Sequence, residues 1–386
     1  VDELTKVAEY LTPERPPSEG TTAAARRRLL DETAAAAPGD ARRPAPSRRR
    51  ALSSRRRAVL ACGAAAIVLV TAGGGYQAWR TRPLYHPEPL PGYGGPAAVL
   101  LLSAADAKER NMTDGRFWYV HTTIGETRPV NATSQPGVSY RVEAANGAYS
   151  VAAKTENGLG DGSSEGWNGL EDEWRFTPVG SADRAAWERD GKPGASALGG
   201  EPPAEVQRGP VQREGAMLDF GVEEARKLPA DASRLRAWLL NYATKFDHKR
   251  LREPDLYLFT NASAILVDRP VSDRVRIATY RLLASLKSVR MVTATDARGH
   301  TGQAVAMRQT TAAYGTIEWQ LFIDRSTGRL TASQGVIVKP GRENAALGAG
   351  ARQFFEVVEK AEWTSAPIER LRPEWINRMH RERPPR

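Results

Sequence analysis

Five histidines, His86, His121, His248, His300 and His380, are scattered along the 386 residues. None opens an HExxH pair, and none is spaced with carboxylates as zinc ligands are. The single cysteine, Cys62, rules out an intramolecular disulfide and any CxxC. Thiol–disulfide switching within the chain and multi-cysteine zinc or iron–sulfur sites go with it. Glu171, Asp172 and Glu173 adjoin Trp174. Paired carboxylates can hydrolyse glycosides, but three consecutive acids read as a solvated face. Gly158-Leu159-Gly160-Asp161-Gly162 looks like a fragment of a phosphate loop, yet no Lys-Ser/Thr follows. Gly162-Ser163-Ser164-Glu165-Gly166 is read as part of a Gly-rich turn, not as a nucleophile elbow. No catalytic residue, cofactor or metal site is expected, and the chain is read as non-enzymatic.

The charge says more. Fifty-five Lys and Arg against 45 Asp and Glu give +10, a first hint of nucleic acid. The excess is not evenly spread. Ala58–Trp79, AVLACGAAAIVLVTAGGGYQAW, carries no charge over 22 residues. At 1.5 Å per residue such a run crosses a hydrocarbon core of roughly 30 Å. Tyr76 and Trp79 stand at its far end, where aromatic rings favour the membrane interface. Eight arginines lie within 20 residues on its N-terminal side, among them Arg48, Arg49, Arg50, Arg55, Arg56 and Arg57. Only Arg80 and Arg82 lie within 20 on the other side. The positive-inside rule then places the N-terminus in the cytoplasm and the C-terminal bulk outside. Residues 1–57 hold half of the net charge; the other half is diluted over residues 80–386. Nucleic acid is therefore not an expected partner. A rival reading takes Arg56-Arg57-Ala58-Val59-Leu60 as a twin-arginine export signal cleaved after Ala72 or Gly73.

Four segments follow from this. Residues 1–57 form a basic cytoplasmic tail, partly disordered from Ala34 to Ser54. Within it Leu4, Val7 and Leu11 share one helical face, a candidate docking stripe for a cytoplasmic protein. Residues 58–79 form the transmembrane helix. Residues 80–96, with five prolines and three glycines, form a stalk. Residues 97–386 form an extracytoplasmic sensor or binding domain.

In that last segment Ala97–Arg110 reads as a helix whose Val99–Leu102 run packs under a sheet. Phe117–Ile124, Ser139–Val142, Ala148–Lys154 and Glu173–Thr177 read as strands, and Trp187 falls near another. Leu235, Trp238, Leu239, Tyr242 and Phe246 make one helical face after Asp231 as N-cap. Asp255–Asp268 is a second helix. Ser272 caps a third, striped by Val275, Thr279, Leu282 and Leu286. Strands resume at Val289–Thr295, Gln303–Arg308, Thr316–Ile323, Leu330–Val338 and Phe354–Trp363, with turns at 296–299 and 324–329. Antiparallel hairpins beside a helical cluster indicate an α+β fold, not a doubly wound one. An apolar ligand would sit on a concave sheet face bearing Trp118 or Phe117.

The order of DELTKVAEYL, the arginine cluster, the apolar run, FWYVHT, EWRFTP, LPADASRLRAWL, DRPVSDRVRIATYRLLASL, VTATDARGHTGQAVAM and LFIDRSTGRL resembles a family of actinobacterial single-pass membrane proteins. Members are often encoded beside extracytoplasmic-function sigma factors. The resemblance implies an anti-sigma-like or sensor role in signalling, at the cell membrane, with a sigma factor as cytoplasmic partner and an unknown extracytoplasmic ligand. It supplies no catalytic residues. The HxxxCxxC zinc signature of one anti-sigma group is absent, so docking would use residues 2–30 differently. The layout also loosely resembles periplasmic lipoprotein-carrier folds.

Overall fold

The structure, a computed structural model, describes residues 83–154, 167–170, 174–195, 197–198, 207–208, 222–245 and 250–371. The expected tail, with Leu4, Val7, Leu11 and the six topology arginines Arg48, Arg49, Arg50, Arg55, Arg56 and Arg57, lies outside the described residues, as does the apolar run 58–79. Among the described residues no helix is long and apolar enough to cross a membrane.

Helix α1 spans Gly95–Arg110. Strands β1 (Phe117–Asn131) and β2 (Ser139–Ala153) form a long hairpin, followed by β3 (Trp167–Leu170) and β4 (Arg175–Pro178). Helix α2 is Ser181–Arg189, and β5 is Gln207–Arg208. A helical block follows: α3 (Val222–Arg226), α4 (Ala232–Ala243), α5 (Pro254–Ser263), a π-helical turn (Ala264–Asp268) and α6 (Asp273–Ala284). Five strands and a short helix complete the chain: β6 (Arg290–Thr295), β7 (Thr301–Thr311), β8 (Gly315–Asp324), β9 (Arg329–Pro340), β10 (Arg352–Thr364) and α7 (Ile368–Leu371).

All ten strands join one antiparallel sheet in the order β5-β3-β2-β1-β10-β9-β8-β7-β6, with β4 beside β3 on the same edge of β2. The α+β expectation is met. The two N-caps read from sequence are made: Asp231 Oδ1 accepts from Arg234 N at 2.9 Å, and Ser272 Oγ from Val275 N at 3.4 Å. Both turns are left-handed at the glycine the sequence offers, Gly299 (φ 85°) and Gly328 (φ 66°).

Side chains alternate across a strand, so the sheet has two buried faces. Trp118, Val120, Val305, Met307, Leu321, Ile323 and Trp363 point at the helical block, where α1, α4, α5, the π turn and α6 cover them. On the other face Phe322, Ala332, Phe355 and Val357 cluster, and Phe117, Tyr149 and Val151 pack with Leu371 of α7.

Three local expectations are corrected. Ser139–Val142 and Ala148–Lys154 are one strand, because Glu143–Gly147 also pair residue by residue with β1, Gly147 facing Thr123. Trp187 sits in α2, where Ala185 and Ala186 favour a helix and Asp183 suits the positive N-terminal end. In α1, Leu100 and Leu101 are buried but Val99 is exposed, since the helix rests mainly against α6 on one side.

Residues 83–94 contain neither helix nor strand, as their prolines require, yet they are bound to the helical block. Tyr85 exchanges two hydrogen bonds with the Asn241 side chain of α4: its N–H donates to Oδ1 at 2.9 Å and its carbonyl accepts from Nδ2 at 2.7 Å.

Candidate ligand site

The two aromatic rings expected to face a ligand are both committed to packing. Trp118 is buried under the helices, with Nε1 donating to the Val267 carbonyl at 2.7 Å and its ring edge-on to Trp363 at 5.4 Å. Phe117 points to the opposite face and is covered by Tyr149 and Leu371. The reason is the helical block itself, whose π turn lies directly on Trp118.

The helix-bearing face is open farther along the strands. There Met307, Trp319, Gly335 and Phe354 form a row across β7, β8, β9 and β10. Gly335 has no side chain, so a gap opens between the Trp319 and Phe354 rings. A Cβ added at Gly335 would lie 3.2 Å from the Trp319 ring and 3.3 Å from Ile317. The result is a cavity of about 80 Å³, closed at its outer end by the β7–β8 turn with Tyr314 and by Gln353. Its lining residues carry no charge.

The walls are fixed by hydrogen bonds, not by packing alone. Trp319 Nε1 donates to Gln309 Oε1 at 3.0 Å, which fixes the orientation of the indole. Asn344, buried, is a clasp: its Oδ1 accepts from Gly341 N at 2.8 Å, and its Nδ2 donates to the Tyr314 carbonyl at 3.0 Å and to Gln353 Oε1 at 2.9 Å. These bonds tie the β7–β8 turn to the chain entering β10. A preformed apolar hollow with a few polar groups at its rim is the usual form of a small-ligand site. It has room for a branched apolar group or the end of an alkyl chain. Its lining offers apolar contact and the hydroxyl and amide groups of Thr311, Tyr314, Gln309 and Gln353.

No protein-family model matches this chain, and no curated protein matches it. Two solved structures align with part of this chain. The Pseudomonas aeruginosa MucA/MucB complex matches 72% of this chain and 61% of its own at 10% identity, with a TM-score of 0.22. A LolA superfamily protein from Nitrosomonas europaea matches 73% of this chain and 100% of its own at 9% identity, with a TM-score of 0.15. This chain thus spans about three-fifths of the length of the MucA/MucB chain it matches.

Charged groups concentrate elsewhere. On the other face of the sheet Glu318 takes bonds from Arg290, Arg308 (3.0 Å) and Gln320 (2.9 Å). Burial pushes its carboxyl up, and these partners outweigh burial and hold it below the usual range. Asp190 is held at about 2, chiefly by Ser134 N–H, with Ser134 Oγ, Thr133 and the Tyr140 hydroxyl adding bonds. Burial pushes Tyr140 up to about 12, and Asp190 beside it adds to the shift. Glu318 thus joins neighbouring strands, and Asp190 ties the β1–β2 turn to the end of α2. His300 lies 3.7 Å from Asp296 at an exposed turn. Among the described residues no group of three or more His, Cys, Asp or Glu is placed to hold a metal. The acidic run 171–173, the Ser-bearing turn 162–166 and Gly158–Gly162 lie outside the described residues.

Sequence reasoning missed Trp319 and Gly335 as a pair. The available signal was Gly335 alone, an isolated glycine inside the apolar strand pattern ASQGVIV. Such a glycine marks a bulge or a close approach.

Proposed function

We propose that this protein is a single-pass cell-membrane protein with a cytoplasmic N-terminus. Its extracytoplasmic α+β domain binds an apolar ligand in the hollow between Trp319 and Phe354. Its tail engages a cytoplasmic partner, a sigma factor, through the Leu4, Val7 and Leu11 stripe. The observation that carries the binding role is the uncharged preformed hollow at Gly335. Support for the anchor comes from the 22-residue uncharged run and its eight-to-two arginine asymmetry. Support for the regulatory half comes from the resemblance of the whole segment order to sigma-factor-linked membrane proteins.

A second reading, a ligand carrier with a passive anchor, uses the same hollow and needs no tail partner. One experiment tests both readings, and a second separates them. Mass spectrometry of the organic extract of the purified protein identifies an apolar ligand under either reading; no co-purifying ligand and no uptake of an alkyl probe would overturn both. A pull-down with residues 1–57 retains a sigma factor only under the first. The orientation is checked by fusions after Arg110, where an export-dependent reporter is active and a cytoplasmic one is silent.

A further inference from the structure

The chain leaving the apolar run has almost no slack. Five residues separate Trp79 from Tyr85, and Tyr85 is bound to α4. Six extended steps reach about 20 Å at most. Beyond the Asn241 bonds, the Tyr85 hydroxyl accepts from Leu251 N at 2.8 Å. Arg250 donates to the Leu84 carbonyl at 3.1 Å and places its guanidinium 5.3 Å from the Tyr85 ring centroid. The chain before α5 and the end of α4 are therefore strapped to the residues nearest the span.

That end of α4 has the composition of an interfacial belt. Trp238 and Tyr242 stack at 5.1 Å with planes 10° apart, both half-buried. Lys245 lies 3.6 Å over the Tyr242 ring. Arg250 and Arg252 are exposed. Of the nearby acids, Asp255 is engaged by Arg236 at 3.6 Å, and Glu253 is exposed beside Arg252. Aromatic rings with one wet end, flanked by cations, are the side chains that settle at a lipid headgroup layer.

We propose that Trp238, Tyr242, Lys245, Arg250 and Arg252 form a surface that docks on anionic phospholipid of the membrane the chain is anchored in. The proposal rests on the apolar run 58–79 spanning that membrane. The tether makes the contact intramolecular, so a weak headgroup interaction is enough to hold it. The ligand hollow lies on the sheet and is untouched by this contact.

The test uses the full chain in nanodiscs of phosphatidylcholine alone or mixed with phosphatidylglycerol. Acetylation of individual lysines is followed by mass spectrometry. Lys245 is expected to react about five-fold more slowly in the anionic discs, the worth of one cation near such a surface. Exposed Lys287 and Lys339 serve as references in the same molecule and are expected to react equally in both discs. Arg252→Glu, which touches none of the strap bonds, is expected to abolish most of the difference, as is raised salt. Equal Lys245 rates in the two lipids, or equal slowing of Lys339, overturns the docking. Release of the protein from membranes by alkaline carbonate overturns the span and the docking together, whereas retention with equal Lys245 rates overturns the docking alone.

Discussion

The guanidinium carbon of Arg276 lies 3.5 Å from the centroid of the Trp118 ring. It is the buried centre that joins the helical block to the sheet. Arg276, in α6, donates to the carbonyls of Leu266, Arg269 and Val271 and pairs with Asp273 at 3.4 Å. Leu266 lies in the π turn, and Arg269 and Val271 lie in the link from it to α6; one planar fork serves all three carbonyls. Burial lowers the arginine to about 10, against the pull of Asp273, so it stays charged at neutral pH. Asp273 also holds Lys108 of α1 at 3.1 Å.

Arg276→Ala is expected to cost about 3–5 kcal/mol, because it strands buried carbonyls and half of an ion pair. Arg276→Lys is expected to recover little, since an ammonium cannot reach three carbonyls in one plane. Urea denaturation measures both. A loss under about 1 kcal/mol for Arg276→Ala would sink the account.

At the ligand site, Gly335→Ala introduces a methyl group into tight contact, 3.2 Å from Trp319 and 3.3 Å from Ile317, so these side chains must shift slightly. Stability is expected to fall by about 1–3 kcal/mol, while affinity for an alkyl probe falls about ten-fold. Gly335→Leu is expected to abolish binding by filling the hollow. Fluorescence titration with an alkyl probe reads the affinities. Full affinity in Gly335→Leu would place the ligand elsewhere.

Glycine positions differ sharply in what they tolerate. A Cβ at Gly328 would run into the backbone carbonyl of Ala104 and lie 2.7 Å from Lys108 N in α1, at φ 66°. A Cβ at Gly299 meets nothing, although φ is 85°. Gly299→Ala is therefore expected to cost about 1–2 kcal/mol from backbone conformation alone. Gly328→Ala is expected to cost clearly more, because α1 must move. Thermal melts of the two variants side by side decide it; equal losses would refute the contact argument.

Acid is expected to destabilise the fold in a defined window. Asp190 is held at about 2, and Asp183 and Glu318 are held below their usual values. A carboxyl depressed in the folded state stabilises it fully above its unfolded pKa, about 4. That contribution is lost as pH falls through the folded value. The urea midpoint is thus expected to be flat near neutrality and to drop from about pH 4 downward. Asp190→Asn should shallow this drop and lower stability at neutral pH. An unchanged slope would mean that the Ser134–Asp190 bonds contribute nothing.

Much of the domain could be read from local pattern. The hairpin turns at 296–299 and 324–329, the caps Asp231 and Ser272, and the stripe Val275–Leu286 each depend on residues within one turn or two of each other. What escaped depends on distant pairing. Glu143–Gly147 reads as a break until β1 is known to run beside it. Arg276 acquires its role only when the π turn and the link after it bring the carbonyls of Leu266, Arg269 and Val271 around it. Trp118 reads as a ligand platform until the block covers it. Gly335 acquires meaning only when Trp319 and Phe354 arrive on both sides.

The pairing of β1 with β10, Phe117 opposite Thr364, joins two groups of strands that are otherwise nearly separate: β1–β5 on one side and β6–β10 on the other. The seam of the sheet is thus its last strand to be synthesised. Nearly 250 residues must emerge between the two partners, so sequence separation at the seam is close to the maximum the domain allows. Until that strand arrives, the edges of β1 and β9 are both bare, and each is a template for a wrong neighbour. A chaperone that shields the nascent chain would have to stay until residue 364, and loss of the C-terminal strand would be felt as aggregation before it was felt as lost binding.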